Sequence, residues 1–127
     1  MIKKILIVED EEDILGLLDA IFGDFTHYET LYATDGREAL KITRVNDPDI
    51  ILLDIQLPEL SGYEVCRLVK SDPTLSHIKI LILSGMTQNS DFLKAREVGA
   101  DDYLSKPFNS TILLEKVEEL LRSNERK

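Results

Sequence analysis

Four places in the chain carry side chains that could work together: the acidic pair Glu9-Asp10, the lone acid Asp54, the hydroxyl of Ser84 and the amine of Lys106. The three carboxylates and one ammonium sum to −3 + 1 = −2. A site of that charge with oxygen donors suits a divalent cation. Mg²⁺ is the natural choice, because it accepts a few carboxylates, keeps waters and recruits phosphate oxygens. Phosphoryl transfer needs mainly positioning and charge neutralisation. A carboxylate can accept a phosphoryl group and form an acyl phosphate. Lys106 would offset the incoming charge, and Ser84 could donate a hydrogen bond to a phosphoryl oxygen. Taken singly, each residue has a blander role. Acids at a helix start are ordinary caps. Asp54 alone reads as a turn cap, Lys106 as a surface lysine and Ser84 as a turn residue. Only their conjunction points to chemistry.

The conjunction depends on the elements that carry these residues. Short apolar runs at 5–8, 50–53 and 78–83 read as buried strands. Each ends at a site residue. A more polar stretch, 28–34, reads as an edge strand, and Tyr103-Leu104 as a short fifth strand. Between them lie helical patterns at 14–22, 36–46, 63–69 and 91–98, with a last helix from Asn109 or Ser110. Asp35 followed three residues later by Glu38 is a capping-box start, and Gly23 and Gly99 are helix stops. Strand and helix alternate five times. That pattern gives an α/β domain with an open parallel sheet and helices on both faces. Ligands of such sheets bind beyond the carboxyl ends of the strands, which is where Glu9, Asp10, Asp54, Ser84 and Lys106 fall.

Composition narrows the function classes. The chain has 127 residues and a formal charge of −9, so it fits one domain and repels polyanions. The domain is expected to span 1–122, with a polar tail at 123–127. No apolar run approaches the length of a membrane span, so no membrane insertion is expected. The short run 5–8 is followed at once by five acids, unlike a signal peptide. The single Cys66 excludes an internal disulfide and falls on an apolar helix face, where a buried inert thiol is expected. A cytoplasmic setting follows from these readings. His27 and His77 stand alone and read as surface residues.

The chain resembles the receiver domain of two-component response regulators, and in particular single-domain chemotaxis regulators. The resemblance rests on Glu9-Asp10, on Asp54-Ile55-Gln56-Leu57-Pro58-Glu59-Leu60-Ser61-Gly62, on Ser84-Gly85, on Gly99-Ala100-Asp101-Asp102-Tyr103 and on Lys106-Pro107-Phe108. It covers essentially the whole chain. It implies a three-layer, doubly wound (βα)5 flavodoxin-like fold with strand order 2-1-3-4-5. It implies that Asp54 is the phospho-acceptor. Mg²⁺ would be bound by Asp10, Asp54 and the Gln56 backbone carbonyl, with Glu9 helping to place it. Lys106 would contact the phosphoryl group and the acceptor carboxylate, and the Lys106-Pro107 bond would be cis. Ser84 and Tyr103 would be the switch residues, and Gln56 and Met86 would tune phosphoryl lifetime.

The resemblance also implies partners. The donor would be a sensor histidine kinase or a histidine phosphotransfer protein. The output would be a protein contacting the face of the fourth helix, fifth strand and fifth helix, with no direct nucleic-acid binding. A monomer and a phosphorylation-linked homodimer both fit. A stand-alone regulator is favoured over a receiver fragment of a larger regulator or hybrid kinase, and over a phosphorylation-independent docking module. An Asp-nucleophile phosphohydrolase would place a general acid two residues after the nucleophile, where Gln56 stands. A flavodoxin-like cofactor binder would carry a Ser/Thr/Gly-rich first loop, not Glu9-Asp10-Glu11-Glu12-Asp13. The chain is therefore read as a signalling phospho-acceptor, not an enzyme of turnover.

Overall fold

Strands and helices alternate along the computed structural model, which describes residues 2–85 and 89–125. They are β1 (Lys3–Val8), α1 (Glu12–Gly23), β2 (Tyr28–Ala33), α2 (Gly36–Asn46), β3 (Ile50–Asp54), α3 (Gly62–Ser71), β4 (Lys79–Ser84), α4 (Asn89–Glu97), β5 (Asp102–Ser105) and α5 (Ser110–Glu125). The strands form one parallel sheet in the order β2-β1-β3-β4-β5, as the resemblance implied.

The central strands are apolar along their length because helices cover both of their faces. Alternate side chains point to opposite sides. Leu6, Val8, Ile51, Leu53, Ile80 and Ile82 pack with Ala39, Leu40, Val65, Cys66, Val69 and Ala95, from α2, α3 and α4. Ile5, Ile7, Ile50, Leu52, Leu81 and Leu83 pack with Leu18 and Phe22 of α1 and Leu113, Val117 and Leu121 of α5. β2 lies at one edge, and its Glu29 and Tyr32 are exposed.

Local signals set the element ends. The Asp35 carboxylate accepts from the Glu38 N–H at 2.8 Å, and the Glu38 carboxylate accepts from the Thr34 N–H at 2.9 Å. The box is therefore closed one residue ahead of the cap. α2 stops at Asp47, which takes the left-handed conformation with φ 48° before Pro48. Ser61 caps α3 by accepting from the Glu64 N–H at 3.3 Å. Asn109 caps α5, its side-chain oxygen accepting from the N–H groups of Thr111 and Ile112 at 2.7 and 3.3 Å.

Asp54 is the last residue of β3, as expected. Other boundaries differ from the sequence expectation. α4 begins two residues earlier, at Asn89. The expected polar tail starts inside a helix: α5 continues to Glu125, with the Ser123 hydroxyl donating to the Leu120 carbonyl at 2.9 Å. Polarity alone did not end that helix, since no glycine or proline follows Leu121. Met86 lies outside the described residues, as do Arg126 and Lys127.

Candidate functional site

All five strands are parallel, so their carboxyl ends meet on one rim. There the register sets Val8 beside Leu53, Asp54 beside Leu83, and Ser84 beside Ser105. Glu9 follows β1 directly, and its N–H bonds the Ala33 carbonyl at 3.0 Å. Its side chain is 1% exposed and Asp54 is 5% exposed, whereas Asp10 faces solvent. One carboxylate oxygen from each of these three acids lies within 4.8 Å of the others. Lys106 reaches into the same space from the β5–α5 loop. Its Nζ is 2.8 Å from Glu9 Oε1 and 3.6 Å from Asp54 Oδ2. The lysine thus sits closer to Glu9 than to the expected acceptor.

Glycine and backbone bonds hold Asp54 in place. α3 begins against the end of β3: the Gly62 N–H donates to the Ile55 carbonyl at 2.8 Å. A Cβ at position 62 would collide with the Asp54 carbonyl oxygen and Ile55 Cα, so only glycine allows this approach. The Gln56 N–H points back to Asp54 Oδ1 at 3.4 Å. Across the rim, the Ser84 carbonyl accepts from the Lys106 N–H at 2.7 Å, and the Lys106-Pro107 peptide bond is cis.

The charges are crowded. Burial, then the neighbouring Glu9 charge, push the Asp54 carboxyl up to about 6, against the opposing pull of Lys106 and the Gln56 N–H. Burial works to lower the Lys106 pKa. The Glu9 hydrogen bond and the charges of Asp54, Glu9 and Glu11 outweigh it and hold the ammonium above its ordinary value. One lysine does not balance three acids. An all-oxygen donor set with two nearly buried members and one open to solvent fits a small, hard divalent cation.

Of the two expected switch residues, Ser84 ends β4 and Tyr103 lies in β5, beside Ile82. Ser84 is buried and helps line a cavity of about 250 Å³, together with Ile55, Gln56, Tyr63, Gly85 and Asp91. Tyr103 is half-buried, and its ring lies against Phe92 of α4 with centroids 4.6 Å apart. Sequence reasoning missed both Phe92 and Tyr63 as neighbours of the site. Tyr63 read only as an apolar helix position, and no periodicity reveals which ring meets which helix. Cys66 is fully buried with its thiol pushed up to about 12 by burial, the inert state expected. His27 pairs with Glu118 at 3.4 Å and His77 with Asp47 at 3.0 Å, both at the surface and away from the rim. No helix among the described residues is long and apolar enough to cross a membrane.

Comparison with known proteins identifies the family. The family model for the response regulator receiver domain matches residues 5–118. The chain is 39% identical over 98% of its length to the alkaline phosphatase synthesis transcriptional regulatory protein PhoP of Bacillus subtilis, and spans 51% of that protein. It is 38% identical to the response regulator PleD of Caulobacter vibrioides, spanning 27% of it. Against the polar-differentiation response regulator DivK of Brucella ovis it is 36% identical, covering 95% of this chain and 98% of DivK. The chain thus spans about half or less of the first two relatives and nearly all of the third.

Solved structures agree. A CheY-like response regulator receiver domain protein from Methanospirillum hungatei superposes with TM-score 0.90 at 30% identity, covering 99% of this chain and 98% of that one. The receiver domain of the Pseudomonas aeruginosa sensor histidine kinase PA1611, solved with a magnesium ion in its active-site cleft, gives TM-score 0.86 at 26% identity. That alignment covers 95% of this chain and 98% of the other.

Proposed function

The chain belongs to the response regulator receiver family, and on that premise we propose that Asp54 accepts a phosphoryl group from a histidine of a sensor kinase or phosphotransfer protein. The observation that carries this reading is the rim itself: three carboxylates within 4.8 Å of one another, with Lys106 between Glu9 and Asp54. A carboxylate titrating near 6 is largely ionised at neutral pH and free to attack. Its oxygen forms the new O–P bond as the donor's N–P bond breaks, and the histidine nitrogen leaves with the electron pair. Lys106 then lies within reach of the added negative charge. The Ser84 hydroxyl lies at the end of the neighbouring strand and can donate to a phosphoryl oxygen.

Glu9, Asp10, Asp54 and the Gln56 carbonyl are the groups that would hold Mg²⁺. The ion would supply neutralising charge for the transferring phosphoryl oxygens. The phosphoryl group stays on the protein as a signal. Ser84 and Tyr103 carry its presence to the face formed by α4, β5 and α5, where an output partner docks.

The test is intact mass after incubation with acetyl phosphate. One added phosphoryl group is expected in the wild type with Mg²⁺, and none after chelation or in Asp54→Asn. Loading at the same rate and site in Asp54→Asn would overturn the acceptor assignment. A folded wild type that never loads from any donor would instead support a docking module.

A further inference from the structure

Among the described residues, Tyr63 makes two of the contacts that fasten α4 to the rest of the molecule. The tyrosine is the second residue of α3, directly after Gly62, whose close approach fixes the start of α3 against Asp54. Its ring therefore has a set position relative to the acceptor. The Tyr63 hydroxyl donates to the Asp91 carbonyl in the first turn of α4 at 3.4 Å. Lys94, one turn further on, places its Nζ 4.7 Å from the centre of the same ring, within cation–π range. Burial and the Asp91 carboxylate hold the Tyr63 phenol above its ordinary pKa, so it remains a donor across the neutral range. The same side chain also lines the cavity that Gln56, Ser84 and Asp91 share beside the acceptor.

We propose that Tyr63 is a positioning residue that ties α4 to the acceptor loop, so that a group added at Asp54 acts on α4 through the tyrosine ring. The second half of this statement rests on the acceptor reading above; the tie itself does not. Phe92, stacked on Tyr103, carries the neighbouring connection from α4 to β5. Tyr63 thus supplies a separate route, from the start of α3.

Hydrogen exchange read by mass spectrometry separates the two halves. Peptides covering residues 91–98 and 113–121 are followed in the wild type, Tyr63→Phe, Tyr63→Ala and Lys94→Gln, without and with loading by acetyl phosphate and Mg²⁺. Without loading, Tyr63→Ala is expected to speed exchange at 91–98 about tenfold and to leave 113–121 unchanged. Tyr63→Phe keeps the ring and Lys94→Gln keeps the hydroxyl, so each is expected to give about a threefold change. On loading, the change at 91–98 seen in the wild type should fall to less than half in Tyr63→Ala. Equal exchange at 91–98 in the unloaded wild type and Tyr63→Ala would overturn the tie. A wild-type loading response retained in Tyr63→Ala would overturn the transmission. A wild type that fails to gain mass removes the acceptor reading, while the unloaded comparison still decides the tie.

Discussion

α5 and α4 pack on opposite faces of the sheet and are held in opposite ways. α5 buries Leu113, Val117 and Leu121 at intervals of four residues, one stripe against β1, β3 and β4. Polar contacts add to it: Lys116 pairs with Asp102 at 3.0 Å, and Glu118 accepts from the Tyr28 hydroxyl and pairs with His27. Among the described side chains of α4, Ala95 alone is buried, and Leu93 is 59% exposed. Its other described contacts include two aromatic ones, Phe92 with Tyr103 and Lys94 with Tyr63, and the hydrogen bond from the Tyr63 hydroxyl to the Asp91 carbonyl. Burying a large aliphatic side chain stabilises by roughly 1.5–3 kcal/mol, and α5 has three of them where α4 has one methyl group. One helix is part of the scaffold. The other is held largely through the side chains of Tyr63 and Tyr103, and an element of low local stability is where motion is cheapest.

The largest expected effect tests that contrast directly. Leu113→Ala should destabilise the protein by about 2–5 kcal/mol in urea unfolding, and Leu93→Ala by less than about 0.5 kcal/mol. Similar losses would abolish the distinction between the two helices.

The rim should behave oppositely to the core, since its charges are crowded where the core's contacts are complementary. Asp54 titrates near 6 in the folded protein against an ordinary 3.8, so the folded state holds the extra proton between these values. Its contribution to stability therefore falls as pH rises from about 4 to about 6. Asp54→Asn removes that loss. The variant should be more stable than the wild type by about 2 kcal/mol at pH 7, with the gap closing towards pH 4. An equally large gap at pH 4 would place its origin elsewhere.

Mg²⁺ should give a smaller gain. At ten times its dissociation constant, a ligand of the folded state alone stabilises by about 1.4 kcal/mol. The melting temperature of the wild type should rise accordingly, fall back with chelator, and respond little in Asp10→Asn. Removing the Asp35 cap from α2 should cost about 1 kcal/mol, an ordinary helix-end effect that leaves phosphoryl loading unchanged.

Much of this was legible in the sequence because the signals are local. Continuous apolar runs at 50–53 and 78–83 report strands covered on both faces, and Asp35 with Glu38 reports a helix start. The rim residues could be named because strand ends converge in any parallel sheet. The order of the strands was not readable from periodicity, which says nothing about neighbours; it came with the resemblance. Nor could any pattern reveal that Lys106 lies nearer Glu9 than Asp54, or that Tyr63 reaches α4. Both depend on side-chain directions after packing. The end of α5 was misplaced because a polar helix face and a polar tail have the same composition.

The buried thiol of Cys66 provides a built-in clock for the loosely held helix. Its Sγ lies 3.5 Å from the Val98 carbonyl, just beyond the last residue of α4. With burial pushing it up to about 12, the closed form offers almost no thiolate to a labelling reagent. Modification must wait for an opening. Since no other cysteine competes for reagent, the labelling rate of the unaltered protein times that opening. Comparing this rate with the global unfolding rate shows whether the molecule opens at α4 first or only as a whole.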